Sequence, residues 1–219
     1  MKKILTLTAA FMFATANAFA ASVGFSGTAL YYSADGTETT KSSSEKNSKS
    51  DSGVAPMLSI FLEEQLGNGA TVGVEVMPYS AKVGSGSMSK DDDAETSGTN
   101  TVDVNFKNHI TLYVEYPHDF TDGGFFKAGV HTVTVETDDS LSTGSKYGDD
   151  DLQGLMIGIG KKGDTGNGGF FKITGELSYY EGGTFNAATG GNAVGDSAVF
   201  NKVDLDELIT AGVKVSVGF

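Results

Sequence analysis

From residue 21 onward the sequence alternates strand-like segments with connections, and the connections themselves alternate between short and long. The strand-like segments are Val23–Ser33, Val54–Leu66, Ala70–Ser80, Val102–Tyr116, Phe125–Thr137, Leu152–Lys162, Phe170–Glu181 and Val203–Phe219, eight in all. Between them lie a long connection at 34–53, a short one at 67–69, a long one at 81–101, a short one at 117–124, a long one at 138–151, a short one at 163–169 and a long one at 182–202. Such an arrangement puts every short turn at one end of a sheet and every long loop at the other. A soluble sandwich has no reason to keep that order; a ring of antiparallel staves does.

The last stave shows what the wall is made for. Ile209, Ala211, Val213, Val215, Val217 and Phe219 form one face, and Thr210, Gly212, Lys214, Ser216 and Gly218 the other. Side chains alternate along a strand, and about 9–11 tilted residues cross a bilayer as one stave of a closed barrel. One face is therefore suited to lipid and the other to a polar lumen. Taken alone, the segment would also serve as the edge of a sandwich.

The start of the chain argues for export. Lys2 and Lys3 precede an apolar run from Ile4 to Thr15, and Ala18-Phe19-Ala20 is a small-x-small cleavage site, so residues 1–20 read as a signal peptide and 21–219 as one mature domain. The apolar run is too short for a transmembrane helix, which needs about 20 residues, and no later run is longer. Any membrane crossing falls to strands. The net charge of −13 becomes −15 once Lys2 and Lys3 are gone, and there is no Arg. Nucleic acid is thereby excluded as a partner, since phosphate binding needs clustered cations. Cysteine is absent too, so disulfides cannot hold the fold.

The faces of the other segments agree. Leu58, Ile60 and Leu62 oppose Ser59, Phe61 and Glu63; Val72, Val74 and Val76 oppose Thr71, Gly73 and Glu75. In the fourth segment Val104, Phe106, Ile110, Leu112 and Val114 lie opposite Asp103, Asn105, Lys107, His109, Thr111 and Glu115, with Asn108 interrupting the apolar face once. Leu155, Ile157 and Ile159 face away from Met156 and the glycines, and Phe171, Ile173, Leu177 and Tyr179 from Lys172, Thr174, Glu176 and Ser178. Gly-Gly-Phe-Phe-Lys occurs twice, at 123–127 and 168–172. If Phe171 faces outward and Lys172 inward, Phe126 and Lys127 do the same, which sends His131 inward. Val133 and Val135 are then left on the inner parity, and a bulge near the outer rim would move them out. Among charged residues only Glu64 and Lys161 fall on the lipid side, both beside short turns, where a charge costs little.

The expected lumen is thus a polar network: the acids Glu63, Glu75, Asp103, Glu115 and Glu176, the lysines Lys107, Lys127, Lys172 and Lys214, and the histidines His109 and His131. An eight-stranded barrel is just wide enough to be filled by side chains, and buried charges persist when paired. The network reads as a plug. No His pair has ligand spacing, so no metal or cofactor is expected. His118 beside Asp119 is the one hint of a triad, and no serine completes it, so no enzyme is expected. Acidic loop runs, Asp91, Asp92 and Asp93 and again Asp149, Asp150 and Asp151, could share divalent cations with anionic lipid, or simply be solvated. The first long connection has no apolar residue from Asp35 to Ser52 and is expected to be disordered.

Over its mature length the sequence resembles the small eight-stranded outer-membrane barrels of the OmpA membrane-domain, OmpX and opacity-protein type. The resemblance lies in the leader with Ala18-Phe19-Ala20, the alternation of short turns and long loops, and the terminal strand Val213–Phe219 closing on an aromatic residue. It implies an all-β, eight-stranded antiparallel up-and-down transmembrane β-barrel with periplasmic termini and four long extracellular loops in a bacterial outer membrane. Phe219 would be the signal read by the barrel-assembly machinery. The implied partners are outer-membrane lipid and lipopolysaccharide, and a surface ligand, host cell or phage. The implied role is structural and surface-interacting. A narrow porin or OmpW-like channel for ions or small solutes is the alternative, and a soluble exported sandwich that binds a ligand is a third.

Overall fold

The computed structural model describes residues 21–39, 46–90, 98–140, 145–189 and 202–219. The expected signal peptide, residues 1–20, lies outside them, as do the tips of the long loops. The described residues form eleven strands: β1 Ala21–Thr39, β2 Lys46–Gln65, β3 Thr71–Val76, β4 Ala81–Lys90, β5 Gly98–Pro117, β6 Gly124–Ser140, β7 Ser145–Tyr147, β8 Asp150–Gly166, β9 Gly169–Tyr180, β10 Gly183–Thr189 and β11 Lys202–Gly218. Eight of them, β1-β2-β3-β5-β6-β8-β9-β11, pair antiparallel in that order, and β11 returns to β1. Val23 and Phe219 exchange both backbone hydrogen bonds at 3.0 Å at that closing seam. The ring has no free edge at the short-turn end, which removes the aggregation hazard of an open sheet.

The outer wall is apolar. Val54, Leu58, Leu155 and Ile157 are 63–71 % exposed, and Val213, Val215, Val217 and Ile173 about half so. Water would penalise such a continuous surface; lipid does not. Phe25, Tyr116, Phe126, Phe171 and Phe219 are exposed near the short turns, with Tyr31 and Tyr179 toward the other end, as expected of two aromatic girdles.

Three departures from the sequence reading concern the long-loop end. Residues 35–39 and 46–52, expected to be disordered, continue the β1–β2 ladder out to Thr39 paired with Lys46. A hairpin needs backbone hydrogen bonds rather than apolar side chains, and β1 is held on its other side by β11 as far as Lys202. The stave expected at 70–80 is broken: Met77–Ser80, with Pro78 at its centre, leaves the ladder, and the chain resumes as β4 on β5 alone. Proline lacks the N–H a ladder requires. Beyond Ile60, β2 has no ladder partner on the β4 side; the hydroxyl of Tyr79 accepts the N–H of Leu58 there at 2.6 Å.

The third departure is a register shift in β5 between Lys107 and Ile110, where Asn108 takes φ 53°. Asn tolerates this left-handed conformation better than most residues. The one extra residue reverses the parity of everything beyond it. Phe106 turns inward and is buried, while Lys107 turns out. The bulge expected in β6 is not there: Val133 and Val135 stay inside, at 0 % and 5 % exposure.

Candidate functional site

The inner face of β6, read from its short turn, runs Phe125, Lys127, Gly129, His131, Val133, Val135. That order is the order of the lumen as a whole: an aromatic floor, a charged lattice, a histidine and tyrosine layer, then an apolar plug.

The lattice is built from one acid or lysine on each of several staves. Lys172 of β9 donates to both oxygens of Glu115 on β5, at 2.9 and 2.8 Å, and makes a short contact with Glu63 of β2. Tyr113 donates to the same Glu63 at 2.9 Å. Higher up, Lys214 of β11 bridges Glu75 and Glu176, both at 2.8 Å, and Lys127 pairs with Glu176 at 2.6 Å while its ammonium lies 4.1 Å from the Tyr113 ring centre. Ser59 donates a short hydrogen bond to Glu75. Phe61, Phe125 and Phe170 surround the Lys172 ammonium at 5.4–5.7 Å, shielding it from the short-turn mouth. That mouth opens into a cavity of about 420 Å³ lined by Glu115, Phe125, Lys162 and Phe170.

Nine of the eleven expected luminal side chains are therefore brought together inside the barrel. His109 and His131 form the next layer: His109 shares a 3.1 Å hydrogen bond with the Tyr180 hydroxyl, and His131 stacks parallel on the Tyr180 ring at 4.3 Å. His131, Glu63, Glu75, Glu115, Glu176, Lys127, Lys172 and Lys214 are buried or nearly so, and His109, the ninth, is half-buried. Asp103 and Lys107 are corrected. Past the Asn108 bulge they point away from the lumen, Asp103 pairing with Lys82 at 2.8 Å and Lys107 with Glu136 at 3.0 Å, all four part-exposed.

Lys162, Tyr113 and Ser59 belong to the site and were not expected in it. Lys162 is in register with Lys172 across β8 and β9, two like charges side by side; such pairs repel. Its ammonium sits 3.9 Å from the Phe170 ring centre and 3.6 Å from Glu63. With it, four lysines answer the four buried glutamates, and the lattice is neutral. The signal was available: Lys162 follows the inner parity of β8.

Above the histidines the filling is apolar. Met57, Met77, Phe106, Val133, Leu152 and Leu208 pack in one cluster with Tyr32, Tyr180 and Phe185 of β10. Of the acidic runs, Asp91–Asp93 lie outside the described residues. Asp150 and Asp151 are engaged separately, Asp150 accepting the Thr184 N–H at 2.9 Å and Asp151 the Thr134 hydroxyl at 2.7 Å, and Asp149 is exposed. Among the described residues no three acids or histidines gather as a ligand set. His118 holds its turn instead, its Nδ1 accepting the Phe120 N–H at 3.2 Å.

No family model matches the sequence, and no curated protein does. Solved structures do match. The outer membrane protein OprG from Pseudomonas aeruginosa superposes with a TM-score of 0.55 at 13 % identity, over 92 % of this chain and 97 % of that one. The outer membrane protease OmpT from Escherichia coli gives 0.46 at 9 % identity, over 91 % and 96 %, and Neisserial surface protein A 0.40 at 9 %, over 88 % and 95 %. The first of these likenesses, together with the closed ring of eight staves and its apolar outer wall, defines the class. The chain has the fold of a small outer-membrane β-barrel, crossing the bilayer with strands.

Proposed function

We propose that this is a non-enzymatic protein of the bacterial outer membrane, freed of residues 1–20 on export, with both termini in the periplasm and its long hairpins at the cell surface. Its role is structural and surface-interacting, the hairpins meeting lipopolysaccharide, a soluble ligand, a host cell or a phage, with Phe219 read during assembly. One observation carries this reading: beyond the cavity at its short-turn mouth the lumen is filled, first by paired charges and then by apolar side chains, so the parts left free to act are those outside the bilayer. The test is single-channel conductance of the purified, refolded mature chain, with Glu75→Gln as a lattice variant. Silence from both proteins, each shown to be folded, is the expected result. Steady openings whose ion selectivity shifts in Glu75→Gln would move the function to transport.

A second reading, a narrow path for small solutes, is favoured by the missing ladder between β2 and β4 beside the apolar plug. There the wall lacks backbone hydrogen bonds where the lumen is greasiest. A disulfide placed across that seam would block such a path and leave a purely surface role intact.

A further inference from the structure

The lysine that completes the lattice is held unlike the other three. Lys127, Lys172 and Lys214 are buried, and each donates a hydrogen bond to a carboxylate. Lys162 is 36 % exposed, and its ammonium rests 3.9 Å from the Phe170 ring centre and 3.6 Å from Oε1 of Glu63, beyond hydrogen-bonding reach. That oxygen has no hydrogen-bond partner among the described residues, although Glu63 is only 3 % exposed. A buried carboxylate oxygen left without a donor is costly. Lys162 also lines the cavity of about 420 Å³ at the short-turn mouth, beside Glu115, Phe125 and Phe170.

The place its ammonium takes is therefore an aromatic face beside a carboxylate with an unused lone pair, bordering a cavity that opens outward. Those are the elements that recognise an alkylammonium ion. We infer that the mouth binds a primary amine cation, which takes the Phe170 face, donates to Oε1 of Glu63 and lays its alkyl chain along Phe125, while Lys162 swings out. The lysine stem is long and flexible. Asp164, exposed two residues further along the same face of β8, gives the displaced ammonium a partner; its Oδ1 accepts the Gly166 N–H at 2.6 Å and its other oxygen faces water. With Lys162 paired there, Glu63 and Glu115 stand against Lys172 alone. The site then carries one excess negative charge for one incoming cation, and the same balance rejects an anion. Lys162 is the resident occupant, and it lowers the apparent affinity by the fraction of time it fills the site.

The probe is butylammonium, titrated by calorimetry into the refolded mature chain in uncharged maltoside micelles, with empty micelles as the blank. One butylammonium is expected to bind each barrel saturably, while butyrate and butanol give no heat above the blank. Lys162→Thr removes the resident occupant and should tighten binding about tenfold. Phe170→Leu should weaken it about fivefold by loss of the ring face, and Asp164→Asn about twofold, because Lys162 then stays in place. Saturable binding of butyrate or butanol would overturn the site, and so would the absence of saturable butylammonium binding to Lys162→Thr. Equal affinity in the native chain and Lys162→Thr would overturn it as well. Asp164 is exposed at the end of β8, so Asp164→Asn supplies the test should Phe170→Leu not refold, and an unchanged affinity there would refute the displacement of Lys162.

Discussion

The two halves of the lumen are enclosed by the same staves yet are filled on opposite principles. At the short-turn end four glutamates and four lysines lock one another, and at the long-loop end a cluster of methionine, valine, leucine and aromatic side chains packs without charge. A buried ion pair is no more stabilising than a well-packed apolar pair of equal volume, but it is far less forgiving of losing one member. Apolar packing fails in proportion to the volume removed. The charged half should therefore act as an all-or-none lock, and the apolar half as a graded filler.

The sharpest break in that comparison is Lys172→Met. It strands Glu115 and leaves Glu63 only the Tyr113 hydroxyl and the more distant Lys162, and should cost about 3–5 kcal/mol in urea unfolding from detergent micelles. Adding Glu63→Gln and Glu115→Gln should return most of that loss, because neutral amides need no counter-ion; a triple variant as unstable as the single would refute the lock. In the apolar half, Leu152→Ala should cost about 2–5 kcal/mol by the cavity it leaves, with no second-site charge able to restore it. At the boundary, Gly154→Ala would place a methyl 2.6 Å from both the His131 ring and the Tyr179 carbonyl. Overpacking of that kind costs about 1–3 kcal/mol, and loss of the Tyr180 stack should show in the near-ultraviolet circular dichroism. The smallest effect is expected outside the lumen. Lys107→Met should leave unfolding and conductance unchanged, since its pair with Glu136 is solvated on the outer side of the bulge.

The bulge also marks where sequence reasoning stopped. Period-two alternation placed the inner residues of β2, β3, β8, β9 and β11 correctly, because a strand offers a side chain only two directions. The repeated Gly-Gly-Phe-Phe-Lys carried the same logic to β6 and was right about Phe126, Lys127 and His131. Extended past Asn108, it put Asp103 and Lys107 in a lumen they do not enter. The warning was present in two forms, an Asn interrupting an apolar face and a β6 whose inner parity turned to valine. Both meant that the upper lumen is apolar and that β5 changes parity to supply Phe106. The polar composition of residues 35–39 and 46–52 misled for another reason: hairpin extension is a backbone matter, governed by neighbours on β11 that are remote in sequence.

What the sequence by itself determined was the number of staves, the end at which each connection lies, and the lipid-facing and luminal faces wherever alternation ran unbroken. These are local properties of spacing, and local steric rules decide them. Tertiary structure alone decided which acid meets which lysine, that Lys162 completes the set, and that the lattice gives way to an apolar plug above His131. Lys172 and Glu63 are 109 residues apart and Lys214 and Glu75 are 139 apart. They meet only because closing the ring sets the stagger of every stave against the next, a constraint on the whole sheet that no single segment encodes.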